Sequence, residues 1–310
     1  MADHSGHSQS HLHNQSEGKS QRNLLWATLL NIIITVAEVV GGLLANSLSL
    51  LGDALHNFSD AVAVFIAYLA NRISKRKSTP SKTFGYKRIE ILAALFNAVV
   101  LMVICIFLFV EAIKRISHPQ EVKGVLMFVV ATIGLVANLI GMLLLHKDAN
   151  KNLNIKAAYL HLLGDTLSSV LVIISGILII YMKWYWIDPL ITIAIGLYIL
   201  KETYEILRQT INILMQFVPD EINIFDIQKE IEYIPQISNV HHMHVWGLND
   251  NQVHFECHID LKDDLLQSET ESIRDRIAGI LKGKFSITHS TLQFEYNCDC
   301  NKQLINTVKE

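Results

Sequence analysis

From Leu24 to Ala70 the only acidic, basic or His residues are Glu38, Asp53, His56 and Asp60, against an otherwise largely apolar background. That stretch is too long for one soluble helix. At about 1.5 Å of rise per residue it suffices for two crossings of a hydrocarbon layer about 30 Å thick. Further runs of the same kind lie at about 89–113, 124–146, 157–181 and 187–207, so the pattern predicts six transmembrane helices.

After Arg208 the pattern becomes that of a soluble α/β domain. Ile224, Ile227, Ile231 and Ile234 recur at helical spacing and predict a helix over about 222–234. Val253, Phe255, Cys257, Ile259 and Leu261 alternate with His254, Glu256, His258 and Asp260, which predicts a strand with one apolar and one polar face. A strand near 239–247 precedes it, and a helix over about 268–282 and a strand over 286–296 follow. The order αββαβ predicts a small antiparallel sheet with helices on one face. Three regions result: a polar tail at 1–22, expected to be disordered and bearing His4, His7, His11 and His13; a six-helix domain at 23–207; and a soluble domain at 208–310.

Composition adds little beyond this, with 51% hydrophobic residues and a formal charge of −3 that supports no nucleic-acid partner. The placement of charge says more. Twelve Lys and Arg flank the helices on the side of the N-terminal tail and of the 71–90 and 147–156 segments, against Lys114, Arg115, Lys123 and Lys183 on the other. The positive-inside rule puts both termini in the cytosol, the expected setting being a bacterial inner or cell membrane, and the polar tail is no cleavable signal. Cys257, Cys298 and Cys300 then face a reducing compartment, where metal ligation is a better expectation than disulfides.

Asp53, His56 and Asp60 fall along one stripe of the second predicted span, and His161 and Asp165 share one face of the fifth. Ionisable groups at mid-bilayer cost about 2.5–3.5 kcal/mol each on insertion scales, so they face protein or water and carry function. The two His-x-x-x-Asp pairs, His56 with Asp60 and His161 with Asp165, offer two imidazole nitrogens and two carboxylate oxygens. This mixture suits tetrahedral zinc better than the all-oxygen shells of magnesium or calcium, and two carboxylates neutralise a divalent ion. Cadmium, cobalt and nickel remain open as cargo. Asp53 reads as an entry group or a solvated helix end, and Glu38, Asn31, Asn97 and Asn138 as interhelical hydrogen-bonding groups. The chain has no phosphate-binding G-x-x-x-x-G-K-[ST] loop and no His-Glu dipeptide, which disfavours an ATP-driven pump and an intramembrane zinc protease. A secondary transporter, not an enzyme, is the expected class.

The runs Ala45–Asp60 (ANSLSLLGDALHNFSD), Thr83–Ala94 (TFGYKRIEILAA) and His161 followed by Gly164-Asp165 resemble the cation diffusion facilitator family, within it the zinc-type bacterial exporters and their eukaryotic relatives. The resemblance extends from about Arg22 to Tyr296. It implies six spans, a homodimer, a cytosolic ferredoxin-like domain, and export of zinc in exchange for protons with His56, Asp60, His161 and Asp165 as transport ligands. The run His241-His242-Met243-His244-Val245-Trp246 resembles a segment of these exporters and implies a regulatory metal site of His241, His258 and Glu295. His289, Cys298 and Cys300 resemble a second cytosolic site, with Cys-x-Cys in place of the usual Cys-x-x-Cys. Lys82 and Tyr86 stand where some relatives carry histidines of a loop site, which is therefore not expected here.

Overall fold

The computed structural model describes residues 31–146, 153–297 and 302–305, with backbone alone at 153–158. They fall into two compact units, Met1–Ile66 with Phe96–Glu205 and Ala67–Leu95 with Ile206–Glu310.

The first unit is helical. Its elements are α1 (Asn31–Ala45), α2 (Leu48–Ser74), α3 (Ile89–Ser117), α4 (Gly124–His146), α5 (Leu153–Met182) and α6 (Ile187–Leu214), of which α2, α3 and α6 also supply ends to the second unit. Four of them, α2, α3, α4 and α5 from Tyr159, are long and apolar enough to cross a membrane. The described part of α1 is too short to count, and α6 carries Asp188, Lys201, Glu202, Glu205 and Arg208 among its apolar positions. Only 28–39% of each spanning window is buried, and Phe107, Leu143 and Leu167 stand exposed, as expected of helices whose outer faces meet lipid. Inside, Leu50, Leu101, Cys105, Met127, Val172 and Ile195 form the buried core. Glycine lets α4 approach its neighbours: a Cβ on Gly41 of α1 would lie 2.7 Å from Val130 Cγ2, and one on Gly176 of α5 3.3 Å from Phe128 Cβ.

The break between α1 and α2 is set by Asn46, at φ 56°, and by Ser47. Asp188 then caps α2. Its carboxylate accepts from Ser47 Oγ at 2.6 Å, Leu48 N at 2.7 Å and Ser49 Oγ at 2.7 Å, placing a negative group at the positive end of the helix dipole.

In the second unit, α7 (Ile224–Glu232), β1 (Ile237–Asn249), β2 (Gln252–Leu261), α8 (Gln267–Phe285) and β3 (His289–Glu295) follow in the expected αββαβ order. Asn223 caps α7, its side chain accepting from Phe225 N at 3.1 Å, and its Ile227 and Ile231 reach the core. Ser286 ends α8 in the left-handed region at φ 56°. Ile227, Ile231, Phe255, Cys257, Ile259, Ile273, Ile277 and Leu281 form one core between the helices and the sheet.

The sheet is not antiparallel throughout. In the order β1-β2-β3, β1 pairs antiparallel with β2 but β2 pairs parallel with β3. A two-residue turn joins β1 to β2 and forces reversal, whereas the α8 crossover returns the chain in the direction of β2. Cys257 is also corrected: it lies 1% exposed on the apolar face of β2, opposite the histidines, and burial pushes its thiol well up, so it packs as a small hydrophobe and is no ligand.

Candidate metal centres

Residues four apart on a helix share a face, and α2 and α5 turn their His-x-x-x-Asp faces toward each other. His56 Nε2 and His161 Nε2 each lie 3.5 Å from Asp60 Oδ2, and His161 Nε2 lies 3.5 Å from Asp165 Oδ2. The two imidazole rings stand edge to face with centroids 6.0 Å apart. One donor atom from each of His56, His161 and Asp165 falls within 4.8 Å of the others, a span that one small cation can bridge. Exposure is uneven. The Asp165 side chain is 3% exposed and its Oδ2 lacks a hydrogen-bond partner, as does the buried Nδ1 of His56, while Asp60 and His161 remain about a third open. Buried polar atoms without hydrogen bonds call for an explanation, and together with the converging donors they make this cluster a candidate cation site.

Asp53 is not a solvated end. It is 1% exposed and accepts a short hydrogen bond from Ser168 Oγ of α5. Glu38 makes the interhelical hydrogen bond expected of it, accepting from Asn57 Nδ2 at 3.3 Å and so joining α1 to α2, a partner that the sequence reading does not name. Ser59 likewise donates to Asn97 at 3.4 Å. The partnership of Ser168 with Asp53 is absent from the sequence-based expectations. Its signal in the sequence is that Ser168 lies three residues beyond Asp165, on the ligand face of α5.

On the sheet, His241 and His258 are directly paired across β1 and β2, and Glu295 pairs with Asp260 across β2 and β3. His258 Nδ1 lies 2.8 Å from Glu295 Oε1 and His241 Nε2 3.5 Å from Glu295 Oε2, so the three form a compact group of possible ligands. Sequence reasoning misses their support. His241 Nδ1 faces Asn239 at 3.3 Å and Asp260 Oδ2 at 3.8 Å, which leaves Nε2 directed at Glu295, and Lys302 Nζ lies 3.1 Å from the same Asp260 oxygen. Asp260 shares the parity of His258, which is the signal that it faces the same way.

A β-bulge shapes this edge. The register slips between His241 and His244, and His242 takes φ 48°, which brings its ring 4.7 Å from that of His258. Burial, then the neighbouring His258 and His244, hold the His242 imidazole below its ordinary value.

His289 faces its β2 partner His254, ring centroids 4.6 Å apart, with Trp246 and Phe84 against His254 at 5.5 and 5.6 Å. Cys298 and Cys300, and the tail histidines, lie outside the described residues. Lys82 and Tyr86 engage each other, the ammonium 2.5 Å from the phenol oxygen and 4.4 Å from the ring centroid.

Comparison with known proteins places the chain in a family. Residues 24–215 match the cation efflux transmembrane domain and residues 219–297 the cation efflux protein cytoplasmic domain. The chain is 39% identical over 285 residues to a cadmium, cobalt and zinc/H(+)-K(+) antiporter of Bacillus subtilis, covering 91% of each chain. It is 38% identical to the metal cation efflux system protein CzcD of Cupriavidus metallidurans, over 94% of this chain and 90% of the relative. It is 37% identical to the zinc transporter ZitB of Escherichia coli, over 96% and 93%. The chain belongs to the cation efflux family, whose members are transporters and not enzymes.

Proposed function

We propose that the protein exports a divalent metal ion, zinc foremost, from the cytosol in exchange for protons, with His56, Asp60, His161 and Asp165 as the transport ligands. The observation that carries this reading is the convergence of the two His-x-x-x-Asp faces at 3.5 Å around Asp60 Oδ2 and Asp165 Oδ2. Two nitrogens and two oxygens meet the preference of zinc, and two carboxylates leave the loaded site formally neutral in a low-dielectric setting. When the metal leaves, the same groups take up protons instead of remaining as paired negative charge, which couples the two fluxes. Cadmium and cobalt, named for the relatives, are accommodated by the same donors.

In this reading α1 and α6 complete six spans, both termini are cytosolic, and the chain works as a homodimer through its C-terminal region, which is in keeping with the matched cytoplasmic domain. That region has the helix and strand order of a ferredoxin-like fold, and His241, His258 and Glu295 bind a regulatory metal there. A further cytosolic site of His289, Cys298 and Cys300 is proposed on the resemblance alone.

Purified chain in sealed proteoliposomes tests the transport reading. Zinc added on one side should move protons the opposite way, and the flux should vanish in Asp165→Ala. Zinc uptake that leaves internal pH unmoved, or proton movement indifferent to zinc, would remove the antiport.

A further inference from the structure

The segment between α2 and α3 is strongly basic. Residues 71–90 hold Arg72, Lys75, Arg76, Lys77, Lys82, Lys87 and Arg88 against one acid, Glu90, whose carboxylate accepts from Ser74 Oγ at 2.6 Å. The segment joins two helices long and apolar enough to cross a membrane, α2 ending at Ser74 and α3 starting at Ile89. Lys87 and Arg88 therefore stand immediately before a span, at the depth of lipid headgroups.

These seven cations are not alike. Arg72, Lys75, Arg76 and Lys77 are exposed, and Lys82 lies against Tyr86, but Lys87 and Arg88 are half-buried and line a cavity of about 260 Å³ with Phe84, Gln216, Trp246 and Leu248. The whole cavity belongs to the second compact unit. Phe84 of the loop and Trp246 of β1 pack on one ring, that of His254, with centroids 5.6 and 5.5 Å from it, which holds the loop to the sheet. Arg88 Nε is buried without a hydrogen-bond partner, and among the described residues no carboxylate comes within ion-pair distance of Lys87 or Arg88. A guanidinium cannot shed its charge, so a buried, unanswered N–H beside a second cation calls for an anion from outside the chain. The planar fork of arginine matches a phosphate in particular. The volume falls below the roughly 300–1,000 Å³ of sites that enclose whole small ligands, which suits a headgroup whose remainder stays outside.

We propose that this cavity binds the phosphodiester of an anionic phospholipid, with Arg88 and Lys87 on its free oxygens and Phe84 and Trp246 against its glycerol backbone. Depth selects a lipid over a soluble phosphate, because the two cations adjoin the first turn of a spanning helix and two aromatic side chains, the residues that favour the headgroup layer, form the walls. Phosphatidylglycerol fits both demands. Phosphatidylcholine carries the same phosphodiester but would bring a quaternary ammonium toward two fixed positive charges. Because the walls come from the loop and from β1, an occupied cavity ties the two together and stabilises the folded chain. The inference needs α2 and α3 to cross the membrane and is independent of the metal ligands.

Titration of the full chain in detergent with phosphatidylglycerol, read as melting temperature, tests the proposal. The melting temperature should rise saturably, and phosphatidylcholine should need about tenfold more lipid for the same rise. Arg88→Gln and Lys87→Gln should each weaken the response to phosphatidylglycerol about tenfold, the loss of one charge-assisted hydrogen bond. Lys75→Gln removes the same charge from an exposed position of the same loop and should leave the response as in wild type. Equal weakening in all three variants overturns the cavity in favour of a diffuse basic surface. A wild-type response that inorganic phosphate reproduces at the same concentration overturns the lipid, and equal responses to the two lipids overturn recognition by charge. Lys87→Gln against Lys75→Gln decides the matter even if Arg88→Gln fails to fold. No arm reads metal flux, so failure of the export reading leaves this test standing.

Discussion

At the scale of single residues, the proposed transport ligands stand out in the sequence because cost marks them. A His or Asp within a span is kept only where it does something, and the four-residue spacing in both α2 and α5 names the face. What the sequence does not show is which groups hold these in place, since Ser168 against Asp53 and Asp260 behind His241 are contacts between elements apart in the chain. Replacing Asp60 or Asp165 by Ala removes one oxygen donor and leaves metal charge uncompensated, so each should reduce zinc flux by about 100-fold or more, while the protein remains folded; proteoliposome uptake with a size-exclusion control checks this. His254 gives a prediction in pH. Burial, then His289, hold its imidazolium below the ordinary 6.5, so the unfolded chain takes the proton first. Its contribution is fully present above about 6.5 and is lost as pH falls through the folded value. The melting temperature should therefore drop between about pH 7.5 and about pH 5.5, and less steeply in His254→Gln; equal slopes would assign the acid sensitivity to other groups.

At the scale of elements, periodicity places α4 at Gly124–His146, α8 at Gln267–Phe285 and the three strands to within about three residues, but it sets no boundary between α1 and α2 and stops α6 at 207, short of Leu214. Periodicity is local. It carries no information on strand direction, and the αββαβ order predicts an antiparallel sheet although the α8 crossover makes β3 parallel to β2. The bulge at His241–His244 is equally hidden, because nothing in the run His241-His242-Met243-His244 announces a positive φ at His242. The cap on α2 is hidden for the opposite reason, its acceptor Asp188 lying about 140 residues downstream. That cap fixes where α2 begins and hence the phase of His56 and Asp60. Asp188→Ala should strip acceptors from two hydroxyls and from buried amides, costing about 2–3 kcal/mol of stability and slowing transport. Asp188→Asn, which keeps some of those acceptors, should fall between. A melting temperature unchanged in both would show that the first turn of α2 is held by packing alone.

At the scale of the whole molecule, the shift in composition after Arg208 lies near the break at Ile206 between the two compact units, whereas the grouping of Ala67–Leu95 with the C-terminal unit has no counterpart in the composition. The C-terminal unit gathers His241, His258 and Glu295 from three strands, a grouping that parity on β2 and β3 anticipates only in part, because the register between strands is not written in any one of them. If these three hold a regulatory metal, binding must stabilise the folded state that assembles them. A ligand bound only by the native state adds RT ln(1 + [L]/Kd), about 2.7 kcal/mol at a hundredfold excess over Kd. Zinc should therefore raise the melting temperature of the full chain through two separable contributions, one from the membrane site and one from the sheet. Asp165→Ala should remove the first and leave the second, and His258→Ala the reverse, with the two losses additive because the sites share no ligand. Calorimetry of both variants and of the double variant checks this. A zinc shift that survives intact in His258→Ala and Glu295→Ala would reduce the cluster on the sheet to an ordinary network of hydrogen-bonded surface groups.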